Sequence, residues 1–141
     1  MQEDRNISLK IGEVYMMEFA GEGSSQKGWR PGVVFQNNTG NIYSPNIIAL
    51  PLTSHLKKAN QPTHVIINGS EEGLPRTSMV LCENPECMPK CRIGEYITTL
   101  SNDVMCQIAE AHLIAIGSAT FINISQFASI CEKVSKLNQI S

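Results

Sequence analysis

The clearest chemical signal in this sequence lies between Ser24 and Asn37, where a polar loop runs directly into an apolar strand. Arg30 and Pro31 stand at the junction. Because proline fixes its own φ and disfavours helical geometry in the preceding residue, Arg30 should enter the strand in an extended conformation. A guanidinium held in this way suits an oxyanion or a phosphate. For an Arg-Pro pair alone, a surface salt bridge is the favoured alternative.

The cysteines raise the question of a metal site. Cys82, Cys87 and Cys91 are closely spaced, but three thiolates need a fourth ligand and the intervening residues match no familiar zinc motif. Small buried or incidental thiols are therefore favoured over zinc, and Cys106 and Cys131 are expected in the helical core. Five cysteines, an odd number, argue against a disulfide framework and fit a reducing compartment.

Composition limits the classes of protein that need to be considered. The chain has 141 residues, 42% of them hydrophobic and 17% charged, which is typical of one globular domain. Its formal charge of −2 gives no bulk attraction to nucleic acid, so binding of RNA or DNA would need a local basic patch. The N-terminus lacks the pattern of a secretion signal and no apolar run is long enough for a membrane helix. We therefore expect a cytoplasmic protein.

Short β-type runs separated by turn signals predict a small β-barrel. The predicted strands are Ile11 to Phe19, Pro31 to Gln36, Ile47 to Leu52, Thr63 to Ile67, Ser78 to Cys82 and Ile93 to Leu100. Pro51 indicates an edge strand or a bulge. The segments 20–29, 37–46, 54–62, 70–76 and 84–90 are predicted to be loops, turns or irregular.

Two helices are predicted after the strands. The first is capped by Ser101 and runs to about Ile116, where Gly117 ends it. The second is amphipathic and is expected to pack on the core; its apolar positions are Phe127, Ile130, Cys131, Val134 and Leu137.

In this order, the motifs make the chain resemble the MazF/PemK-type toxins of bacterial toxin–antitoxin pairs. The shared motifs are Ile11-Gly12-Glu13-Val14-Tyr15, Gly23-Ser24-x-Gln26-x-Gly28-x-Arg30-Pro31, Val33-Val34-Phe35-Gln36-Asn37, Ser44-Pro45, Ile47 to Thr53, Pro62-Thr63-His64-Val65, Gly73-Leu74, Ser78-Met79-Val80-Leu81 and Lys90-x-Arg92-Ile93. The resemblance implies one domain over residues 1–141, with an SH3-like barrel over about 11–116 and a helical extension over about 117–141. It also implies a homodimer that cleaves single-stranded mRNA without a metal or other cofactor and is neutralised by a cognate antitoxin.

The resemblance also implies a catalytic pair, because Arg30 matches the family's catalytic arginine and Thr53 its catalytic threonine. In the implied reaction the ribose 2′-OH attacks the adjacent phosphorus, leaving a 2′,3′-cyclic phosphate and a 5′-OH. A fixed guanidinium would stabilise the charge that gathers on the phosphoryl oxygens. Ser25 stands where the family usually has a glutamate, which could lower activity. Without the resemblance, Thr53 would be interpreted as a strand-end residue bonded to neighbouring backbone.

Further residues are candidates for RNA contacts, by base stacking, edge recognition or backbone binding. They are Ser24, Gln26, Trp29, Gln36, Asn37, Ser54, Lys57, Lys58, His64 and Ser78. Trp29 could equally be a buried or dimer-interface anchor. The two lysines could meet an acidic antitoxin segment or simply be solvated, and His64 is more typical of a packing residue.

Two other functions compete with the ribonuclease. A related gyrase poison would share the barrel, but its activity depends on a tryptophan-bearing C-terminal end, and this chain ends in Asn138-Gln139-Ile140-Ser141. An SH3-like binding module that has lost activity through the change at Ser25 is the other alternative.

Overall fold

The computed structural model describes residues 8–21 and 28–140. Its seven strands are β1 Glu13–Phe19, β2 Gly28–Val34, β3 Asn46–Thr53, β4 His64–Ile67, β5 Ser78–Leu81, β6 Glu86–Pro89 and β7 Ile93–Thr99. The helices are α1 Asn38–Tyr43, α2 Gly69–Glu72, α3 Asn102–Ala115 and α4 Ile124–Ile140, with 3₁₀ turns at Lys90–Arg92 and Gly117–Phe121. This mostly antiparallel architecture with C-terminal helices confirms the predicted fold class.

The strands form one antiparallel sheet in the order β4-β5-β3-β2-β1-β7, with β6 also paired to β3. β3 pairs with three other strands, β2, β5 and β6. It pairs with β6 from Asn46 to Ala49 and with β5 at Leu52 and Thr53. Ala49 is paired with Glu86 and Leu52 with Val80. The pairing therefore moves three residues along β3 and six residues along the partner segment. β5 and β6 therefore run along β3 as one strand interrupted by a bulge.

Two apolar cores lie on opposite faces of the central strands. One joins β1 to β5 and α3 through residues such as Val14, Leu52 and Ile108. The other is built around Met17, Phe19 and, from β6, Met88. Val14 of β1 belongs to the first core and Met17 to the second, so β1 is covered on both faces and its sequence does not alternate strictly between apolar and polar residues.

Several local predictions were wrong. The strand β2 begins at Gly28, in what was predicted to be a loop. Segment 37–46 contains α1, whose N-terminus is capped by the Asn37 side chain accepting from the Gly40 N–H at 2.8 Å. A short helix, α2, occupies part of the predicted loop before β5, and segment 84–90 contains β6.

The sequence allowed either an edge strand or a bulge at Pro51. The edge strand is wrong, since β3 lies inside the sheet, whereas the bulge is confirmed, since β3 changes partner from β6 to β5 there. Pro51 is opposite Gly32 of β2. On its other side it falls in the gap between the β6 and β5 pairings. A residue without an N–H is tolerated there because neither partner strand needs its donor.

The C-terminal helix is not part of the core. Ile124, Phe127 and Val134 of this helix are exposed, and Thr39 of α1 donates its hydroxyl to the Leu137 carbonyl at 3.0 Å. Cys106 and Cys131 are also exposed, so their predicted place in the core was wrong. α3 follows the prediction more closely, with Ser101 accepting from the Val104 N–H and Ile108 and Ala111 buried. No helix in the described ranges is long and apolar enough to cross a membrane.

Candidate functional site

Arg30 and Thr53 lie on adjacent strands and line the same cleft. β2 pairs with β3 through Val34↔Ala49, Val33↔Leu50 and Gly32↔Pro51. Arg30 precedes Gly32 by two residues and Thr53 follows Pro51 by two, so the two residues leave this pairing at the same end of the strands. Arg30 is only partly exposed and its Nε atom is buried, which fixes the base of the guanidinium.

The volume they share is an open cleft of about 320 Å³, within the range typical of ligand sites. Its lining consists of Arg30, Pro31, Leu52, Thr53, Ser54, His55, Leu74, Pro75, Arg76 and Ser78. Two guanidinium groups and one imidazole are therefore present, and none of these lining residues carries a carboxylate. The chain is acidic overall, but this cleft has the local charge that suits a polyanion.

Thr53 is held in place by the turn that follows β3. Its Oγ1 accepts the backbone N–H of His55 at 3.1 Å. A hydroxyl accepts and donates at once, so the Thr53 O–H can still donate into the cleft. This contact also fits the alternative given above, in which Thr53 is only a strand-end residue bonded to neighbouring backbone. Here the residue also lines the cleft that contains Arg30.

Ser78 has a structural partner within the cleft wall. This buried residue begins β5, and its Oγ donates to the Arg76 carbonyl at 2.9 Å. Ser54 is exposed and adjoins Thr53. The cleft thus brings together four of the residues predicted from the sequence, namely Arg30, Thr53, Ser54 and Ser78.

Gln36 and Asn37, predicted to contact RNA bases through their amide groups, lie outside this cleft and stabilise α1. Gln36 donates through Nε2 to the Asn46 carbonyl at 3.2 Å and to Asn41 Oδ1 at 3.3 Å. Asn37 caps the helix. These contacts occupy the side chains with structural bonds, so a role in base recognition stays a prediction.

His64 holds the loop that follows Thr53 in place through two contacts of its ring. Its side chain is 6% exposed and lies 2.8 Å from Glu83 Oε1 through Nε2. Its Nδ1 lies 2.9 Å from the Lys58 carbonyl oxygen. The ring therefore joins the Lys58 carbonyl of this loop to Glu83. Lys57 and Lys58 are exposed on this loop and do not line the cleft.

Trp29 is directed away from the cleft. Neighbouring residues of a strand point to opposite faces, so Trp29 and Arg30 diverge. The indole is 52% exposed and packs beside Gly94 of β7, where an added Cβ would lie 3.1 Å from Trp29 Cζ3. Ser24, Gln26 and the family-departure position Ser25 lie outside the described residues.

A second cleft, of about 480 Å³, has a different character. It is lined on one side by Glu83 and Glu86 and carries one guanidinium, that of Arg92. Glu86 accepts the Ala20 N–H at 3.0 Å and lies 3.7 Å from Arg92. With its cation paired and a carboxylate in excess, this cleft is less suited to a polyanion.

The cysteines do not form a common site. Cys82 is buried, whereas Cys87 and Cys91 are exposed. Burial, with a smaller contribution from the nearby Glu83 charge, raises the pKa of Cys82 to about 12, so its thiol stays protonated at neutral pH. Across residues 8–21 and 28–140, no group of three or more His, Cys, Asp or Glu side chains is placed to hold a metal ion.

Sequence reasoning missed Arg76 as a lining residue of the cleft. A usable signal for Arg76 existed, because Leu74-Pro75-Arg76 places a cation just before a strand, much as Arg30 precedes the apolar run of β2. The sequence did not reveal that Arg30 and Arg76 line the same cleft as Thr53.

The sheet and the cleft define a small antiparallel β-protein with a cationic, hydroxyl-bearing site for an anionic ligand. The model of the PemK-like, MazF-like toxins of type II toxin–antitoxin systems matches residues 10–116. Endoribonuclease MazF of Staphylococcus saprophyticus is 38% identical over 113 residues, covering 79% of this chain and 94% of that protein. The chain therefore belongs to the PemK/MazF toxin family, which confirms the resemblance seen in its motifs.

Solved structures agree with this assignment. A mycobacterial endoribonuclease in complex with its cognate antitoxin is 27% identical, with a TM-score of 0.65 over 77% of this chain and 95% of that chain. MazF from Deinococcus radiodurans, at 21% identity, has the same fold, with a TM-score of 0.66 over 78% of this chain and 99% of that chain.

Proposed function

We propose that this chain is a metal-independent endoribonuclease toxin that cleaves single-stranded mRNA at a short sequence. The observation that carries the proposal is that Arg30 and Thr53 line one cleft together with Arg76, and that none of the described lining residues carries a carboxylate. The family membership and the activity named for the staphylococcal relative support the same reaction.

In the proposed reaction the ribose O2′ forms a bond to phosphorus and the bond from phosphorus to O5′ breaks. O2′ loses its proton and O5′ gains one, giving a 2′,3′-cyclic phosphate and a 5′-OH. Arg30 stabilises the negative charge that builds on the phosphoryl oxygens, and Thr53 donates a hydrogen bond to one of them. Because arginine stays protonated, its role is electrostatic rather than that of a base.

The donor chemistry of the cleft supports a reaction without a bound metal. Divalent cations that assist phosphoryl chemistry prefer carboxylate oxygens. The lining offers guanidinium, hydroxyl and imidazole groups instead. Positive charge that a metal would supply is supplied here by Arg30 and Arg76.

The proposal includes two protein partners, a second copy of the chain and a cognate antitoxin, and a cytoplasmic site of action. The mycobacterial relative solved with its antitoxin supports an antitoxin partner for this chain as well. An acidic antitoxin segment would compete with RNA for a cationic cleft, which is a simple physical basis for neutralisation.

The test is cleavage of single-stranded RNA by the purified full-length chain, with the 5′ ends of the products sequenced. We expect cuts at one short motif, 5′-OH ends, and the same rate with EDTA. An RNA carrying a 2′-deoxyribose at the cut position should resist cleavage because it lacks the nucleophile. Absence of cleavage, or cleavage of the deoxy substrate, would overturn the proposal. A supercoiling assay with gyrase would then test the gyrase-poison alternative.

A further inference from the structure

We propose that Arg76 is a second phosphate-binding residue of the Arg30 cleft, holding the RNA backbone beside the phosphate that Arg30 engages. This inference rests on the proposed ribonuclease function. It assigns to Arg76 a share of substrate binding and leaves stabilisation of the transition state to Arg30.

The main chain that carries Arg76 is rigidly held. A Cβ on Gly69 would lie 2.6 Å from the Arg76 carbonyl carbon and 2.7 Å from the Thr77 nitrogen, so α2 sits directly against this segment. The Gly69 N–H donates to Thr77 Oγ1 at 3.2 Å, and Ser78 Oγ donates to the Arg76 carbonyl at 2.9 Å. With the backbone fixed, only the side chain must be ordered when a ligand binds, which lowers the entropic cost.

α2 is itself fastened to the sheet. The Thr98 hydroxyl of β7 donates to the Glu72 carbonyl at 2.8 Å, and Glu72 Oε1 accepts the Ser101 N–H at 2.7 Å. Arg76 is therefore attached, through α2, to the same sheet that carries Arg30. The spacing of the two cations is set by folded structure and not by a loose loop.

Among the residues that the structure describes, no carboxylate pairs with Arg76. The side chain is exposed, and within the described ranges it takes part in no ion pair. Arg92 makes a useful contrast, because it lies in the carboxylate-bearing cleft and pairs with Glu86. A guanidinium in a cleft whose described lining holds no carboxylate is suited to a phosphate, which it can bind through two parallel hydrogen bonds.

Exposure decides which step each arginine affects. Solvent screens the exposed Arg76, so its attraction for a phosphate should be similar in the ground state and the transition state. An interaction of equal strength in both states changes KM and leaves kcat unchanged. We therefore expect Arg76→Gln to raise KM about three- to tenfold, with kcat within about twofold of the wild type.

The dependence of RNA affinity on salt concentration tests phosphate binding directly, because a purely structural role of Arg76 would leave the slope of log Kd against log salt unchanged. Each phosphate contact on a single strand contributes about 0.7 to the slope of log Kd against log salt. Binding is measured with an uncleavable RNA carrying 2′-deoxyribose at the cut position. Arg76→Gln should reduce the slope by about 0.7. Arg76→Lys, which keeps the charge but not the two-point geometry, should keep the slope and bind with intermediate affinity.

The control is Lys133→Gln on α4, which removes the same charge from an exposed residue outside the cleft. It should leave KM and the salt slope unchanged. Arg76→Met serves as a second neutral variant, and thermal unfolding verifies that each variant folds. Wild-type cleavage tests the ribonuclease function separately. If the wild type cleaves RNA while both neutral Arg76 variants keep its KM and salt slope, the inference about Arg76 is wrong.

Discussion

Replacing Arg30 tests the charge and the geometry of the proposed catalytic group separately. The side chain is partly buried, so an effective dielectric near 20 is more appropriate than that of water, and a unit charge about 4 Å from the phosphoryl oxygens is then worth about 4 kcal/mol. Mutational losses for comparable transition-state donors are about 10²- to 10³-fold in kcat. We expect Arg30→Ala to fall in that range. Arg30→Lys should lose about tenfold, because lysine restores the charge but not the fork of donors.

The assay is single-turnover cleavage of a short single-stranded RNA at saturating protein, so that the chemical step is measured and not binding. Lys133→Gln is the matched control for loss of a positive charge and should cleave at the wild-type rate. Thermal unfolding must show that the Arg30 variants are folded. If folded Arg30→Ala cleaves within tenfold of the wild type, this arginine does not stabilise the transition state and the assignment fails.

Two other predictions concern a hydroxyl and an imidazole. Thr53→Ser should keep most of the single-turnover rate, whereas Thr53→Val should lose about 10- to 100-fold, the value of a hydrogen bond to a charged group; equal rates for valine and threonine would refute a role for the hydroxyl. Burial lowers the pKa of His112, whose ring lies 4.9 Å from that of Phe35. As the pH falls through 6.5, the imidazole of His112 takes up a proton in the unfolded chain before it does so in the folded chain. The free energy of unfolding therefore decreases as the pH falls below about 6.5. The free energy of unfolding in urea should drop more between pH 7.5 and pH 5.5 for the wild type than for His112→Gln, and equal drops would contradict this.

Sequence patterns predicted the main strands because those strands are bounded by glycine, proline and asparagine. They failed where long-range contacts decide the conformation. Segment 38–43, with Gly40 inside it, is typical of a turn. It forms α1 because the buried Asn41 donates to the Gln36 carbonyl at 2.8 Å and Lys90 Nζ donates to the Asn41 carbonyl at 2.6 Å. No local pattern shows that Lys90, 49 residues away, supplies this bond.

The C-terminal helix shows a related limit. Its apolar period predicted a helix, and α4 is one. Periodicity indicates that one face is apolar but does not identify what covers it. The core beneath the sheet is already filled by Ile108 and Ala111 of α3, so α4 has no place there and lies against α1 instead.

The site itself depends on an irregularity of the sheet for which Pro51 was only a partial signal. Thr53 lies between two strand entrances only because β3 changes partners beside Pro51, from β6 to β5. That change brings the start of β5, with Arg76 just before it, beside Thr53, and Arg30 of β2 lines the same cleft. The resemblance alone could predict Arg30 and Thr53, since both match family positions. Arg76 became a candidate only when the bulge between β5 and β6 showed which strand end faces the threonine.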